Sequence, residues 1–165
     1  MKFKSITQLE LYKYLSVPKA NLNKYNCEKK LHLEIIQYLI PLSVDGTLQA
    51  LWFHPANEAI KSKEHGIGFN ILLKMMGKIP GVPDLIFAGK GKMGCIELKY
   101  DNAQRGRSAE SKLSANQILF AKWCAKFDIP YVIARSWEDV KETLINWDFM
   151  HGLPAAKASF VHVRT

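Results

Sequence analysis

The chain has 165 residues, of which 48% are hydrophobic and 23% are charged, and its formal net charge at pH 7 is +8. This composition is typical of one globular domain that can bury a core. There is no apolar run of about 18 residues, which excludes a membrane-spanning helix. The first residues are too polar for the apolar part of a signal peptide, so we expect an intracellular protein. The excess of Lys and Arg favours a nucleic acid as partner, because binding phosphates releases counterions.

The three cysteines are widely spaced in the sequence and form no CxxC pair. This spacing predicts reduced thiols and argues against both a zinc site and a disulfide framework. Cys95 in particular is not assigned as a metal ligand.

The N-terminal part of the chain predicts two helices of different strength. A short helix is expected over 6–16, followed by a basic arm that ends near residue 25. A longer helix is expected over 27–40, with Asn26 as its N-cap. Its apolar residues recur at the three- and four-residue spacing of a buried face, namely Leu31, Ile35, Tyr38 and Leu39.

Glu28 falls in the first turn of the longer helix, at the end of the same inward-facing stripe. It is either a negative charge that the helix dipole favours or a residue that points into a site. Helix physics alone favours the dipole interpretation.

The middle of the chain predicts strands separated by turns and one helical stretch. A turn over 41–47 leads into a strand over 48–54, and a mostly helical stretch follows over 57–76. Two further strands are expected over 84–88 and 93–99. The short Gly- and Lys-rich segment between them predicts a hairpin.

The C-terminal part predicts a mobile basic loop over 101–112 and then a helix. That helix opens with a capping box, in which Ser114 is the N-cap and Gln117 reaches back to it. A strand over 130–134 and a last helix opened by Ser136 complete the order. The whole order predicts an α/β fold, with a mixed central β-sheet flanked by helices.

Charged residues stand inside two of the predicted strands. Asp84 begins the first hairpin strand, and Glu97 and Lys99 lie two apart near the end of the second, so they share a face. Two carboxylates beside an ammonium group predict a site for a hard divalent cation. The lysine could orient a metal-bound water or stabilise charge on a phosphate. The alternative is a structural ion pair between Glu97 and Lys99 on an exposed sheet face.

Pro83-Asp84 followed by Glu97-Leu98-Lys99 resembles the PD-(D/E)XK nuclease pattern, and the wider sequence resembles the VRR-NUC family of that superfamily. The resemblance covers about residues 26–147. Its motifs occur in the family's order, at 28–32 with 38–39, 52–57, 81–85, 96–99, 113–117 and 132–136. The expected organisation is an N-terminal helix and basic arm over 1–25, a nuclease domain with a restriction-endonuclease-like core over 26–150, and a tail over 151–165.

The resemblance implies a metal-dependent phosphodiesterase. Its implied catalytic residues are Glu28, Asp84, Glu97, Lys99 and Gln117, with Lys99 as the catalytic lysine. The implied cofactor is Mg²⁺ or Mn²⁺, held by Asp84 and Glu97 together with Glu28 and the Ile96 backbone carbonyl.

His32 departs from the family pattern, because members commonly carry glutamine at this position. It could contact a metal or a substrate. A partly buried histidine with ordinary hydrogen bonds is the simpler expectation.

The expected function is that of a structure-selective DNA endonuclease, of phage or bacterial type, acting on branched DNA such as a Holliday junction. A symmetric junction needs two coordinated cuts, which favours a homodimer. One alternative is a nuclease for duplex, nicked or flapped DNA in a repair or defence system, and another is a binding module without catalysis. Candidate phosphate contacts, which could equally be solvated surface charges, are Lys61, Lys63, Arg105, Arg107 and Lys112.

Overall fold

The structure is a computed structural model that describes residues 27–55, 71, 73, 75–100 and 113–151. Its elements are α1 (Cys27–Val44), β1 (Leu51–Phe53), β2 (Leu85–Gly89), β3 (Lys92–Leu98), α2 (Ala115–Lys126), β4 (Tyr131–Ala134) and α3 (Trp137–Asn146). The predicted helix over 6–16, most of the one over 57–76 and the loop over 101–112 lie outside the described residues. None of the helices in the described part of the chain is long and apolar enough to cross a membrane.

The four strands form one sheet in the order β1-β2-β3-β4. β2 pairs antiparallel with both β1 and β3, whereas β3 and β4 run parallel, so the predicted mixed sheet is confirmed. The predicted hairpin between β2 and β3 is also confirmed. It turns through Lys90 and Gly91, whose φ angles of 49° and 71° are the positive values that a two-residue hairpin turn requires. Because Leu85 pairs with Ile96, Asp84 lies beside the end of β3.

The core lies where α1 and α3 pack against the sheet. Three members of the predicted stripe on α1 are buried, namely Leu31, Ile35 and Leu39. Val140 and Leu144 of α3 and Trp147, which directly follows it, are buried as well. Burial of these apolar side chains supplies the main driving force for folding.

Tyr38 was predicted as a fourth buried residue of the stripe on α1, and this is wrong. Its side chain is 44% exposed and stacks on Trp137 of α3, with ring centroids 4.8 Å apart. The position lies at the edge of the helix face that meets the sheet, where an aromatic ring can cover a neighbouring helix while its hydroxyl stays in water.

The prediction that the first long helix ends at residue 40 and gives way to a turn over 41–47 is wrong. α1 continues through Pro41 to Val44, although proline cannot donate the helical hydrogen bond. A tertiary contact holds this last turn: the Ser43 hydroxyl accepts from the Trp52 indole at 2.8 Å, while within the helix it donates to the Leu39 carbonyl at 2.8 Å.

The strand predicted over 48–54 is shorter in the structure, where β1 covers only Leu51–Phe53. Leu48 instead forms an isolated bridge with Met150, near the C-terminal end of the described chain. Leu48 is fully buried, although it lies outside β1.

Candidate functional site

Asp84 is fixed against the end of β3. It stands immediately before β2, and its Oδ2 accepts a hydrogen bond of 2.9 Å from the Leu98 backbone nitrogen. The contact is a consequence of the hairpin register, which sets the start of β2 beside the end of β3. One carboxylate oxygen is thereby held in place, and the Asp84 side chain is directed towards the neighbourhood of Glu97.

Glu97 is a buried carboxylate surrounded by donors. Only 2% of the residue is exposed. Its Oε1 accepts from the Lys99 ammonium at 2.9 Å and from the Gln117 side-chain amide, and its Oε2 accepts from the Tyr131 hydroxyl at 3.4 Å. These partners offset part of the cost of removing a carboxylate from water.

Lys99 connects two of the acidic residues. Its Nζ lies 2.9 Å from Glu97 and 3.7 Å from Oε1 of Glu28, which is in the first turn of α1. Glu28 therefore sits at the positive end of the helix and also faces the site, so both interpretations of this residue fit the geometry. The ion pair between Glu97 and Lys99 that the alternative interpretation expected is present, but it does not lie on an exposed sheet face, because both residues are buried.

The side-chain amide of Gln117 both caps α2 and contacts Glu97. The predicted capping box is confirmed: Gln117 Oε1 accepts from the Ser114 nitrogen at 2.8 Å, and the Ser114 hydroxyl accepts from the Gln117 nitrogen at 3.3 Å. The amide nitrogen of the same side chain donates to Glu97. The start of α2 is thus tied to the acidic group.

The surroundings of the site raise the pKa values of both Glu97 and Lys99. Burial first and the charge of Asp84 second raise the pKa of Glu97 to about 7, although the contacts with Lys99 and Tyr131 act in the opposite direction. Burial alone lowers the pKa of Lys99, but the hydrogen bond to Glu97 and the charges of Glu97, Glu28 and Asp84 outweigh it and hold the pKa above its usual value. A divalent cation would relieve the repulsion between the two carboxylates, so the donor set fits one.

The structure thus brings together all five residues that the sequence pattern singled out as catalytic: Glu28, Asp84, Glu97, Lys99 and Gln117. Ile96 is buried in β3 next to Glu97, and the role of its carbonyl as a ligand stays a prediction. Cys95 is a buried free thiol whose pKa is raised, mainly by burial, to about 12. The predicted DNA contacts lie outside the described residues, namely Lys61, Lys63, Arg105, Arg107 and Lys112.

A histidine that sequence reasoning missed also belongs to this region. His54 follows β1, and its Nδ1 lies 2.7 Å from the Asp84 backbone oxygen. Its ring contacts that of His32 edge-on, with centroids 4.5 Å apart. Together with Asp84, these histidines form a group whose ligand atoms all lie within 4.8 Å of one another. The sequence does not show this group, because the pairing of β1 with β2 brings His54 next to Asp84.

Comparison of the chain with protein-family models, with curated proteins and with solved structures finds no match. The assignment to the VRR-NUC family therefore rests on the sequence motifs and stays a prediction.

Proposed function

We propose that this chain is a metal-dependent DNA endonuclease of the PD-(D/E)XK type, with a restriction-endonuclease-like core and the motifs of the VRR-NUC family. One observation carries the proposal. Asp84, Glu97 and Lys99 converge where β2 begins and β3 ends, and the two carboxylates there are close enough for Asp84 to raise the pKa of Glu97.

In this proposal Asp84 and Glu97 hold Mg²⁺ or Mn²⁺, with Glu28 and the Ile96 carbonyl as further ligands. The cation, when bound, supplies a Lewis acid and makes water more acidic. Lys99 is placed to neutralise negative charge on a phosphate oxygen. Gln117 restrains the Glu97 carboxylate, and the hydrogen bond from Leu98 restrains Asp84.

DNA is the proposed substrate because the chain carries a net charge of +8 together with a carboxylate and lysine site. Within this class we favour branched DNA, such as a four-way junction. Such a junction is symmetric, so the proposed working form is a homodimer. The molar mass from light scattering, with and without junction DNA, tests the oligomeric state.

The proposed activity is tested with labelled linear, nicked, flapped and four-way DNA of matched sequence in Mn²⁺ or Mg²⁺. We expect the four-way junction to be cut fastest. Asp84→Asn and Glu97→Gln should each lower the cleavage rate by about a hundredfold or more, while DNA binding in EDTA is kept. Asp148→Asn is the matched control, because Asp148 is an exposed carboxylate paired with Lys90 at the hairpin turn.

Each result has a distinct consequence. If Asp84→Asn cuts at the wild-type rate, the assignment of the site is wrong. If all four DNA shapes are cut at the same rate, the chain is a general nuclease without selectivity for junctions. Binding of DNA without cleavage by either ion, on every shape, would indicate a catalytically silent binding module.

A further inference from the structure

We propose that His32, His54 and Asp84 form a binding site for one divalent transition-metal ion, such as Zn²⁺ or Mn²⁺, and that this site binds these ions in preference to Mg²⁺. The inference goes beyond the proposed function, because such a site can exist whether or not the chain cleaves DNA. It also assigns a role to two histidines that the nuclease chemistry does not use.

Three separate segments bring the ligands together. His32 lies on α1, His54 follows β1, and Asp84 precedes β2. Their potential ligand atoms are all within 4.8 Å of one another. Donor atoms at about 2.1 Å from a shared tetrahedral ion lie roughly 3.4 Å apart, so small side-chain rotations are enough to close the site.

The orientation of the His54 ring is fixed by the backbone. A carbonyl oxygen can only accept a hydrogen bond, so the 2.7 Å contact between Nδ1 and the Asp84 carbonyl requires a proton on Nδ1. In the neutral ring this leaves the lone pair on Nε2. A bond of this kind from the non-ligating nitrogen is the usual way in which proteins orient metal-binding histidines.

The donor set determines which ions it can hold. Two imidazole nitrogens and one carboxylate oxygen suit first-row transition ions and leave coordination positions open for water or substrate. Mg²⁺ prefers oxygen ligands and is bound poorly by imidazole. His54 is exposed and the other two residues are half-buried, so an ion in solution can reach the site.

Glu97 makes this site separable from the one proposed for catalysis. Its two oxygens are engaged by Gln117, Lys99 and Tyr131, and it is not part of the histidine group. Asp84 is the one residue shared by the histidine group and the proposed catalytic residues. Loss of Glu97 should therefore leave the affinity for Zn²⁺ intact, whereas loss of either histidine should not.

The test is direct ion binding by the full chain after treatment with EDTA. Calorimetric titrations with Zn²⁺ and with Mg²⁺, and electron paramagnetic resonance with Mn²⁺, give stoichiometry and affinity. We expect one equivalent of Zn²⁺, bound at least about tenfold more tightly than Mg²⁺. His32→Ala and His54→Ala should each weaken Zn²⁺ binding by about tenfold or more. His151→Ala is the matched control, since His151 bonds to Gln49 and lies outside the group.

Nitrogen NMR of the wild-type histidine rings provides a readout that does not depend on whether variants fold. Zn²⁺ should shift the ring signals of His32 and His54 and leave those of His151 in place. Unchanged Zn²⁺ affinity in both folded histidine variants, or ring shifts only elsewhere, overturns the proposal. If the chain binds Zn²⁺ as expected but does not cleave DNA, the proposed nuclease function is wrong, whereas the proposed histidine site is still supported.

Discussion

At the scale of single residues, the burial of Glu97 makes stability depend on pH. Its pKa is raised from 4.5 to about 7 in the folded chain, first by burial and then by Asp84. Between these values the unfolded chain loses the proton while the folded chain keeps it. The contribution of Glu97 to the free energy of unfolding therefore falls as the pH rises through this window and stays low above it.

We expect Glu97→Gln to remove this dependence. In EDTA, the variant should gain stability relative to wild type as the pH rises from about 4.5 to about 7, by up to roughly 3 kcal/mol. Urea unfolding of both proteins across this range measures the difference. Asp148→Asn serves as control, because Asp148 is exposed and its pKa is lowered from 3.8, so it is ionised in both the folded and the unfolded chain over this range and its loss should leave the pH dependence unchanged. Parallel curves for wild type and Glu97→Gln would contradict the raised pKa.

The two roles of Gln117 can be separated by substitution. Ser114→Ala removes the hydroxyl that accepts from the Gln117 backbone nitrogen and leaves the Glu97 contact, whereas Gln117→Ala removes the side-chain acceptor of the Ser114 nitrogen together with the Glu97 contact. Each should lower the free energy of unfolding by about 1 kcal/mol. If the chain is the proposed nuclease, only Gln117→Ala should also slow cleavage, by about tenfold to a hundredfold. Equal cleavage by the two variants would reduce Gln117 to a capping residue.

Among the site residues, those carried by a local motif could be predicted from the sequence, and those defined by tertiary pairing could not. The two-residue spacing of Glu97 and Lys99 already predicts a shared face. Nothing local indicates that His54 lies against Asp84, since 30 residues separate them and the pairing of β1 with β2 creates the contact. His32 is a similar case, because only the fold shows its ring against that of His54.

At the scale of elements, Gly81 links the segment before β2 to the start of α2. Its φ is +82°, and a Cβ there would overlap the Asn116 backbone and lie 2.8 Å from the Gln117 nitrogen. This close approach sets Asp84, three residues on, near the helix that carries Gln117. Only glycine satisfies both the backbone conformation and the space.

Gly81→Ala should therefore lower the free energy of unfolding by about 3 kcal/mol, from backbone strain and from the overlap together. Gly91→Ala is the matched control: its φ is also positive, at 71°, but nothing lies within 4 Å of the added Cβ. The control should cost only about 1 kcal/mol. If urea unfolding shows that both variants lose the same free energy of unfolding, the close approach of Gly81 to α2 does not contribute to stability.

Elements with strong local signals were predicted well, and those decided by long-range contacts were not. The hairpin and the capping box of α2 follow from turn and cap chemistry. The end of α1 does not, because the proline at 41 is a local signal to stop. That signal is outweighed by the hydrogen bond from Trp52 of β1 to Ser43, a contact that the sequence alone cannot reveal.

At the scale of the whole molecule, the order of helices and strands was enough to predict an α/β fold with a mixed sheet. The reason is physical: alternation of helical and strand patterns leaves few arrangements that bury both kinds of apolar face. The strand order within the sheet required the structure. It places β3 between β2 and β4, and the charged end of β3 meets residues at the starts of β2, α1 and α2.

From the net charge of +8 we predict how DNA binding depends on salt, and this prediction holds whether or not the chain cleaves DNA. If Arg105 and Arg107 each neutralise one phosphate, replacing both with Ala should lower the slope of log affinity against log salt by about 1.8 for duplex DNA. Fluorescence anisotropy in EDTA over a range of salt concentrations measures this slope. The control is the double replacement of Lys126 and Lys141, exposed on α2 and α3, which removes the same charge. Equal slopes for the arginine variant and wild type would exclude these arginines from the interface. An equal fall in both variants would instead attribute the effect to overall charge.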